Sequence, residues 1–432
     1  MNRRARYSIL GLLTVLTAAA FPERYPLDGY YYTGIRRLRA YSMILAGTMP
    51  GSVPIRPGAR LDRNQIELRL ADANPDFDIP ADAPVDSTLQ AGVDRIFANR
   101  DPSYRAAILD ITDPEQPRYA GLRQDQGYIP GSVGKLLVMS GFFHELAQLH
   151  PDDIRARERL LRNTRVVAGA FAMPNSHEVP VVADDWSRVT HRSIRADDVF
   201  TLWEWVDHMV SPSSNAAGSV VWREIMLMDA FGARYPPSPE EAAAYFRDTP
   251  RPELTEQSIR VLEEPLLEAG LDPELLRIRT MFTDGAQRAI PGRGSFSSPR
   301  TLVLWLTRME QGRLVDEWSS LEMKRLMYYT RRRYRFAFAP ALDSAAVYFK
   351  SGSLYRCRPE EGFRCGQYMG NVENLMHSVA IVESPAGAAT PRVYLVSMMS
   401  NVLKVNSAGE HADIAGQLQR MISRHHPELT QH

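Results

Sequence analysis

The chain has 432 residues, 44% of them hydrophobic and 24% charged, which is enough to bury one large core or two smaller ones. Its 51 basic and 51 acidic side chains give a formal net charge of zero, so electrostatics gives no reason to expect nucleic acid or an anionic membrane as a partner. Arginine is the usual cation, and lysine occurs only at Lys135, Lys324, Lys350 and Lys404. A lysine kept against that bias suggests chemistry that needs loss of a proton, which an ammonium can undergo when buried and a guanidinium effectively cannot.

The N-terminus has the outline of a secretory signal. Basic residues precede an apolar stretch at positions 7–21 that ends in small residues. We expect residues 1–21 to be a cleaved signal peptide; the alternative is a retained membrane anchor, although the stretch is shorter than the about 20 apolar residues of a spanning helix. Residues 22–86 form an extension of unknown role, rich in Pro, Gly, Asp and Tyr, in which residues 49–51 suggest a hairpin.

The first candidate site residues follow a predicted helix at 87–99 and a predicted strand at 104–112. Ser132 opens an apolar-rich helix that we expect to run to residue 149. Helix residues three apart lie about 5–6 Å from each other between Cβ atoms, so Lys135 can lie one turn from the Ser132 hydroxyl and take its proton. The helix N-terminus would aim N–H groups at a developing oxyanion. The alternative is an N-cap serine followed by a lysine that reaches solvent.

A second polar pair follows an apolar stripe at 199–210 that predicts a helix. The helix should stop at Ser211-Pro212, which leaves Ser213 and Asn215 on a loop at its end. A hydroxyl and an amide two residues apart can point into one cleft, where they could relay a proton and bind an amide carbonyl. The alternative is a turn that satisfies its own backbone.

The third candidate group lies on a predicted strand. Lys350, Ser351, Gly352 and Ser353 continue a β-branched and aromatic run, and the glycine would allow a ligand to approach the backbone closely. The alternatives are a bulge at the glycine and a solvated edge lysine. The basic run at 331–335 is interpreted as a solvated helix end.

Cys357 and Cys365 are the only cysteines. In an exported protein they could form a disulfide across the turn between neighbouring strands, and two free thiols are the alternative. The chain ends in a predicted amphipathic helix. The histidines show no metal-binding spacing, so neither a metal nor another cofactor is expected.

The order Ser-x-x-Lys at 132–135, Ser-x-Asn at 213–215 and Lys-Ser-Gly at 350–352 resembles the penicillin-recognising serine hydrolases, which are class A β-lactamases and penicillin-binding D,D-peptidases. The likeness covers about residues 87–424, and residues 377–383 and 393–399 look like the last two strands of the family. It implies an α+β fold of the β-lactamase/transpeptidase type, an antiparallel sheet flanked by helices plus an inserted helical domain. Residues 87–131 and 285–432 would form the sheet domain, and residues 132–284 would form the helical domain.

The resemblance also implies a role for each matched residue. Ser132 would be the acylated nucleophile, Lys135 its general base and Ser213 the group that passes a proton to the departing nitrogen. Asn215 would hold the substrate amide. Lys350 would supply positive field, Ser351 would bind a carboxylate beside Gly352, and the backbone N–H groups of Ser132 and Ser353 would form the oxyanion hole.

Two departures from the family pattern weaken the β-lactamase side of the resemblance. Ser214 stands where class A enzymes have aspartate. The best match to the loop that carries their deacylation glutamate is residues 282–291, which offers Thr283 at the glutamate's place with Asp284 beside it. Asp284 is a candidate base, and a turn residue before Gly285 is the alternative.

The sequence therefore predicts an exported serine hydrolase that forms an acyl-enzyme with β-lactams or peptidoglycan peptides. Hydrolysis of β-lactams and D,D-peptidase or transpeptidase activity remain alternatives. A third alternative is a non-enzymatic penicillin-binding or sensing protein of the cell envelope. Retention of Ser132, Lys135 and Lys350 in so lysine-poor a chain argues against that third alternative. The expected location is periplasmic or otherwise extracytoplasmic.

Overall fold

A computed structural model describes residues 29–175, 177–330 and 333–430. The helices are α1 Gly29–Thr33, α2 Arg36–Leu45, α3 Ser87–Phe97, α4 Lys135–Leu149, α5 Ile154–Asn163, α6 Leu202–Val210, α7 Asn215–Phe231, α8 Pro239–Asp248, α9 Arg251–Glu268, α10 Asp284–Ala289, α11 Pro299–Glu310, α12 Glu317–Tyr328 and α13 Ala408–His425. The strands are β1 Arg105–Asp110, β2 Arg118–Leu122, β3 Arg165–Val167, β4 Glu178–Val182, β5 Val189–Ser193, β6 Val199–Thr201, β7 Leu276–Arg277, β8 Phe296–Ser297, β9 Ala346–Arg356, β10 Glu373–Ser384 and β11 Arg392–Asn401.

One antiparallel sheet organises the molecule, with strand order β2-β1-β11-β10-β9. One face packs on α3 and α13 through residues such as Val93 and Leu418, and the other face packs on α11 and α12. Both faces are therefore buried, and every residue of β10 after Glu373 and of β11 before Asn401 is buried. The predicted sheet of an early strand with the C-terminal strands is confirmed, as is the mixed α+β fold class.

Helix α4 is the centre of the helical part of the molecule. It packs against α7, α9, α12 and α6, so almost every side chain from Lys135 to Leu146 is buried. A helix that is apolar all round is buried all round, which explains why this segment shows no single apolar stripe. Three short strand pairs, β3 with β6, β4 with β5 and β7 with β8, lie within or beside this helical part. The exact domain boundaries proposed from sequence stay a prediction.

The N-terminal extension contributes α1, α2 and irregular segments that lie on both halves of the molecule. The hairpin expected at residues 49–51 is wrong, because this segment is the turn after α2, where the N–H groups of Thr48 and Met49 donate to the Met43 carbonyl. The signal or anchor at residues 1–21 lies outside the described residues. Within the described ranges, no helix is long and apolar enough to cross a bilayer.

The connection from β9 to β10 carries the two cysteines. Cys357 follows the last residue of β9, and it forms a disulfide with Cys365, eight positions further along the chain. The predicted bridge across the turn between neighbouring strands is therefore confirmed.

Candidate active site

Ser132 lies in a tight turn that leads directly into α4. Residues Gly131–Gly134 form a single 3₁₀ turn, and the α-helix proper begins at Lys135, so the predicted helix start is 3₁₀ in its first residues. Gly131 has φ +53°, a backbone conformation that side chains other than glycine rarely adopt. The Ser132 side chain is half-buried, whereas Lys135 is fully buried.

The Lys135 ammonium connects the first and second motifs. Its Nζ donates to Ser132 Oγ at 3.1 Å, to the Ser213 carbonyl at 2.7 Å and to Asn215 Oδ1 at 2.7 Å. The Phe282 ring centroid lies 4.8 Å from the same nitrogen. These three oxygen atoms hold the Lys135 nitrogen between the nucleophile turn and the bend before α7.

Ser213 lies at the sharp bend between α6 and α7. Its φ of +62° is uncommon for a residue with a side chain, and the conformation costs about 1 kcal/mol or more unless its surroundings hold it. The next residue, Ser214, is the N-cap of α7 and accepts from the Ala217 N–H. The bend aims the Ser213 carbonyl and Oγ at Lys135 and Lys350. Backbone strain of this kind is commonly found at functional sites.

Lys350 approaches Ser213 from the sheet side. On β9 its Nζ donates to Ser213 Oγ at 2.8 Å and to the Ser351 carbonyl at 3.0 Å, and the side chain is buried. Lys135 Nζ lies 3.5 Å from the same Ser213 Oγ. Two ammonium groups therefore share one hydroxyl across the cleft between sheet and helices.

Gly352 lets the nucleophile turn pack directly on β9. A Cβ at this position would lie 2.5 Å from the Pro130 carbonyl oxygen and 3.1 Å from Val133 N. The close approach expected for a ligand is thus made by the chain's own turn, which also passes close to Ser353 N. Ser353 is half-buried on the same strand.

Sequence reasoning missed two residues beside the third motif. Ser351 Oγ donates to Tyr334 Oη at 2.9 Å, and Arg335 Nη1 donates to the Gly352 carbonyl at 2.8 Å. Arg335 is only 2% exposed, so its interpretation as part of a solvated helix end is wrong. Its Nε and Nη2 are buried with no hydrogen-bond partner in the described part of the chain. The sequence signal for Arg335 was its position about fifteen residues before Lys350, and the neighbouring arginines obscured that signal.

Thr283 and Asp284 point in different directions. Thr283 is buried and caps α10, and its Oγ1 donates toward the Phe171 carbonyl at 2.5 Å and lies 3.0 Å from Ser219 Oγ. Asp284 is exposed as the first residue of α10, so it begins a helix rather than preceding a turn. The five motif residues from Ser132 to Lys350 meet in one place through hydrogen bonds, and no hydrogen bond joins Asp284 to them among the described residues.

A neutral histidine supports the turn from behind. His377 lies opposite Gly352 in the β9–β10 register, and its Nε2 donates to the Ile129 carbonyl at 3.0 Å. Burial lowers the pKa of His377 to about 4, although this bond to Ile129 acts in the opposite direction. The imidazole is therefore uncharged at neutral pH and donates its N–H at Nε2 to the Ile129 carbonyl.

A five-stranded antiparallel sheet beside a helical part, with the three motifs meeting between them, defines the penicillin-recognising serine hydrolase superfamily. Residues 88–425 match the model described as the beta-lactamase enzyme family, and the chain belongs to that family. The match begins just after the N-terminal extension. No curated protein matches the chain.

Solved structures of this superfamily are similar to the chain. The TLA-3 extended-spectrum beta-lactamase has a TM-score of 0.52 at 12% identity, covering 78% of this chain and 98% of that chain. A class A beta-lactamase representative from Bacteroides cellulosilyticus DSM 14838 has a TM-score of 0.50 at 13% identity, with coverage of 78% and 95%. A beta-lactamase from Sphaerobacter thermophilus DSM 20745 has a TM-score of 0.49 at 15% identity, with coverage of 78% and 96%. At such identities the likeness shows the fold alone.

Proposed function

We propose that the protein is an exported serine hydrolase that is acylated at Ser132 by β-lactams or by peptidoglycan peptides. The observation that carries this proposal is the set of acceptors around Lys135 Nζ. When Lys135 is a neutral amine, the Ser213 carbonyl and Asn215 Oδ1 take its two N–H groups. Its lone pair then faces Ser132 Oγ at 3.1 Å, within reach of the hydroxyl proton.

Acylation follows from that arrangement. Ser132 Oγ attacks the carbonyl carbon while its proton passes to Lys135 Nζ, which becomes an ammonium. The carbonyl oxygen gains negative charge and is stabilised by the N–H groups of Ser132 and Ser353. Burial and a second nearby cation both favour the neutral amine that must start this step.

Departure of the nitrogen needs a proton from the other side. Ser213 Oγ lies between Lys350 Nζ at 2.8 Å and Lys135 Nζ at 3.5 Å, so it can give its proton to the leaving nitrogen and recover one from a lysine. The C–N bond then breaks and the acyl group stays on Ser132. A β-lactam nitrogen remains attached to the acyl group, whereas a peptide amine leaves.

The substrate carboxylate would bind on the sheet side of the cleft. Ser351 and Tyr334 supply hydroxyl groups there, and Lys350 and Arg335 supply positive charge. The buried Nε and Nη2 of Arg335 favour an anionic group at this end. Asn215 would hold the substrate amide through its Nδ2 while its Oδ1 stays on Lys135.

We also propose that the acyl group formed from a β-lactam is lost slowly from Ser132. This slow loss favours D,D-peptidase activity as the second candidate function. Thr283, at the place matched to the deacylating glutamate, is buried and hydrogen-bonded, and it has no carboxylate to activate water. Asp284 is exposed beside it. A peptidase can release its acyl group to an amine or to water without an acid at that position, whereas fast β-lactam hydrolysis needs a positioned base.

Export is supported by the basic and apolar N-terminus and by the Cys357–Cys365 disulfide, because disulfides persist in oxidising compartments. The two alternatives for residues 1–21 are a cleaved signal peptide and a retained membrane anchor. Fractionation of cells that produce the full chain, with N-terminal sequencing of the product, distinguishes the two. Recovery of the protein only in the cytoplasm with reduced cysteines would contradict export.

The test of the function is intact-mass spectrometry after addition of a penicillin and a chromogenic cephalosporin. We expect a stable adduct of one penicillin mass on the wild type and little cephalosporin turnover. Ser132→Ala should give no adduct. Lys135→Arg should label at least about a hundredfold more slowly, because a guanidinium cannot accept the proton. Rapid turnover would instead establish a β-lactamase, and binding without an adduct would favour the non-enzymatic alternative.

A further inference from the structure

The geometry points to Arg37 as a positioning residue for acylation, contributed by an extension that lies outside the family match. Arg37 lies on α2, and its guanidinium is buried behind the cleft, 2% exposed. Arg37 contacts the end of α6, the helix that leads to Ser213. It also contacts the residue after α12, in the segment that contacts β9 beside Lys350. This inference rests on the proposed function for its kinetic part only.

The guanidinium makes three short contacts to two elements. Nε and Nη2 of Arg37 donate to the two carboxylate oxygens of Asp207 on α6, both at 2.6 Å. Nη2 also donates to the Tyr329 carbonyl at 2.9 Å, just past the end of α12. Asp207 is fully buried, so its charge depends on this bidentate partner.

The helix side of the connection leads to the bend at Ser213. One turn of backbone after Asp207, the Ser211 N–H donates to the Asp207 carbonyl at 2.8 Å, and the Ser214 N–H donates to the His208 carbonyl at 2.9 Å. These bonds enclose Ser213 and hold its left-handed conformation. A fixed position for Asp207 therefore fixes the direction of the Ser213 carbonyl and hydroxyl.

The sheet side leads to Lys350. The Tyr329 carbonyl accepts from Arg37 and also from Ser211 Oγ at 3.3 Å. The next residue, Thr330, donates through Oγ1 to the Phe349 carbonyl at 2.9 Å, immediately before Lys350 on β9. Arg37 thus joins the end of α6, which leads to Ser213, to the segment whose Thr330 contacts β9 beside Lys350.

Arginine suits this place better than lysine does. Its planar fork can hold both carboxylate oxygens and a carbonyl at once, whereas an ammonium is a single point of charge. Other ion pairs of the N-terminal extension do not contact the residues of the cleft. Arg69, for example, donates to Glu383 at 2.6 Å, opposite Ala346 at the far end of β9 from the disulfide.

The test compares Arg37→Lys with the matched control Arg69→Lys, each in the full chain. Lysine keeps the charge, so Asp207 is not left unpaired. Amide hydrogen exchange at 211–215 and 329–350 should quicken about tenfold in Arg37→Lys and stay at the wild-type rate in Arg69→Lys. The rate constant for penicillin acylation should fall about tenfold or more in Arg37→Lys, with the dissociation constant of the noncovalent complex within about twofold of wild type.

Wild-type exchange and acylation in a folded Arg37→Lys protein would overturn the inference, as would equal losses in both variants. If Arg37→Lys does not fold, the pair Arg37→Met with Asp207→Leu removes both buried charges and should show the same faster exchange, since the Tyr329 carbonyl loses the shorter of its two hydrogen bonds. Unchanged exchange in that pair would also overturn the inference. A wild type that penicillin never acylates would refute the proposed function, while the exchange comparison would still decide the role of Arg37.

Discussion

Replacing Gly352 by alanine tests whether the nucleophile turn is positioned by direct contact with β9. The added Cβ would lie 2.5 Å from the Pro130 carbonyl oxygen, whereas ordinary contact begins near 3.4 Å. Backbone rather than a flexible side chain opposes it, so the turn that carries Ser132 must move by about 0.9 Å. A displacement of about 1 Å in a reacting group can lower a rate about a hundredfold.

We therefore expect Gly352→Ala to slow penicillin labelling of Ser132 about a hundredfold. Overpacking of this kind also lowers the free energy of unfolding by about 1–3 kcal/mol. The labelling rate is measured with a fluorescent penicillin, by in-gel fluorescence of samples quenched at set times. The temperature is one at which circular dichroism shows the variant to be folded. Gly409→Ala is the matched control, because a Cβ at Gly409 meets nothing within 4 Å.

The reasoning fails if Gly352→Ala labels within about threefold of the wild type while folded. In that case the turn would not be held by β9, and the Ser132–Lys135 distance would have to be set by the 3₁₀ turn and the start of α4 alone. Slow labelling by the Gly409→Ala control would point instead to a general effect of the added methyl group on stability.

Three further predictions concern the surroundings of the site. Loss of the Cys357–Cys365 bridge by double serine substitution should lower the free energy of unfolding by about 2–3 kcal/mol, because the closed loop is short, and an unchanged urea midpoint would contradict this. Because the folded-state pKa of His377 is about 4 and the unfolded value is about 6.5, the unfolded state binds more protons below pH 6.5. The contribution of His377 to stability should therefore fall by about 3 kcal/mol between pH 6.5 and pH 4, so His377→Phe should lose less stability than the wild type over this range in urea titrations. Asp284→Asn should leave the lifetime of the acyl-enzyme unchanged, since Asp284 is exposed, whereas a lifetime longer by about a hundredfold would make it the deacylation base.

The strands and the order of the motifs could be predicted because their signals are local. Apolar runs located β1 and β9 to within a few residues, the family resemblance located β10 and β11, and the Ser-x-x-Lys spacing placed Lys135 one turn from Ser132. The structure adds what the spacing cannot contain, namely that the Ser213 carbonyl and Asn215 both hold the Lys135 amine. Those contacts join residues about eighty positions apart, and no periodicity reports them.

The misinterpretations have a common physical origin. Arg335 lies in an irregular segment among other arginines, and beyond its neighbour Tyr334 it contacts Tyr368 and the Gly352 carbonyl, which come from other parts of the chain. The role of the N-terminal extension could not be predicted for the same reason. Arg37 finds Asp207 across 170 positions, and a charged residue on a short helix looks like a solvated one until its partner is known.

The few lysines show how composition can and cannot indicate chemistry. Lys135 and Lys350 are buried where they share the Ser213 hydroxyl, as expected if each must exchange a proton or act as a compact charge. Lys324 is equally buried, yet it pairs with Glu310 and Glu383 in the core, where two carboxylates fix it as an ion pair. Three of the four lysines are therefore buried, whereas Lys404 is exposed beside Glu360. The partners distinguish the buried ones: neutral carbonyl, amide and hydroxyl oxygens surround Lys135, the proposed base, whereas two carboxylates pair with Lys324.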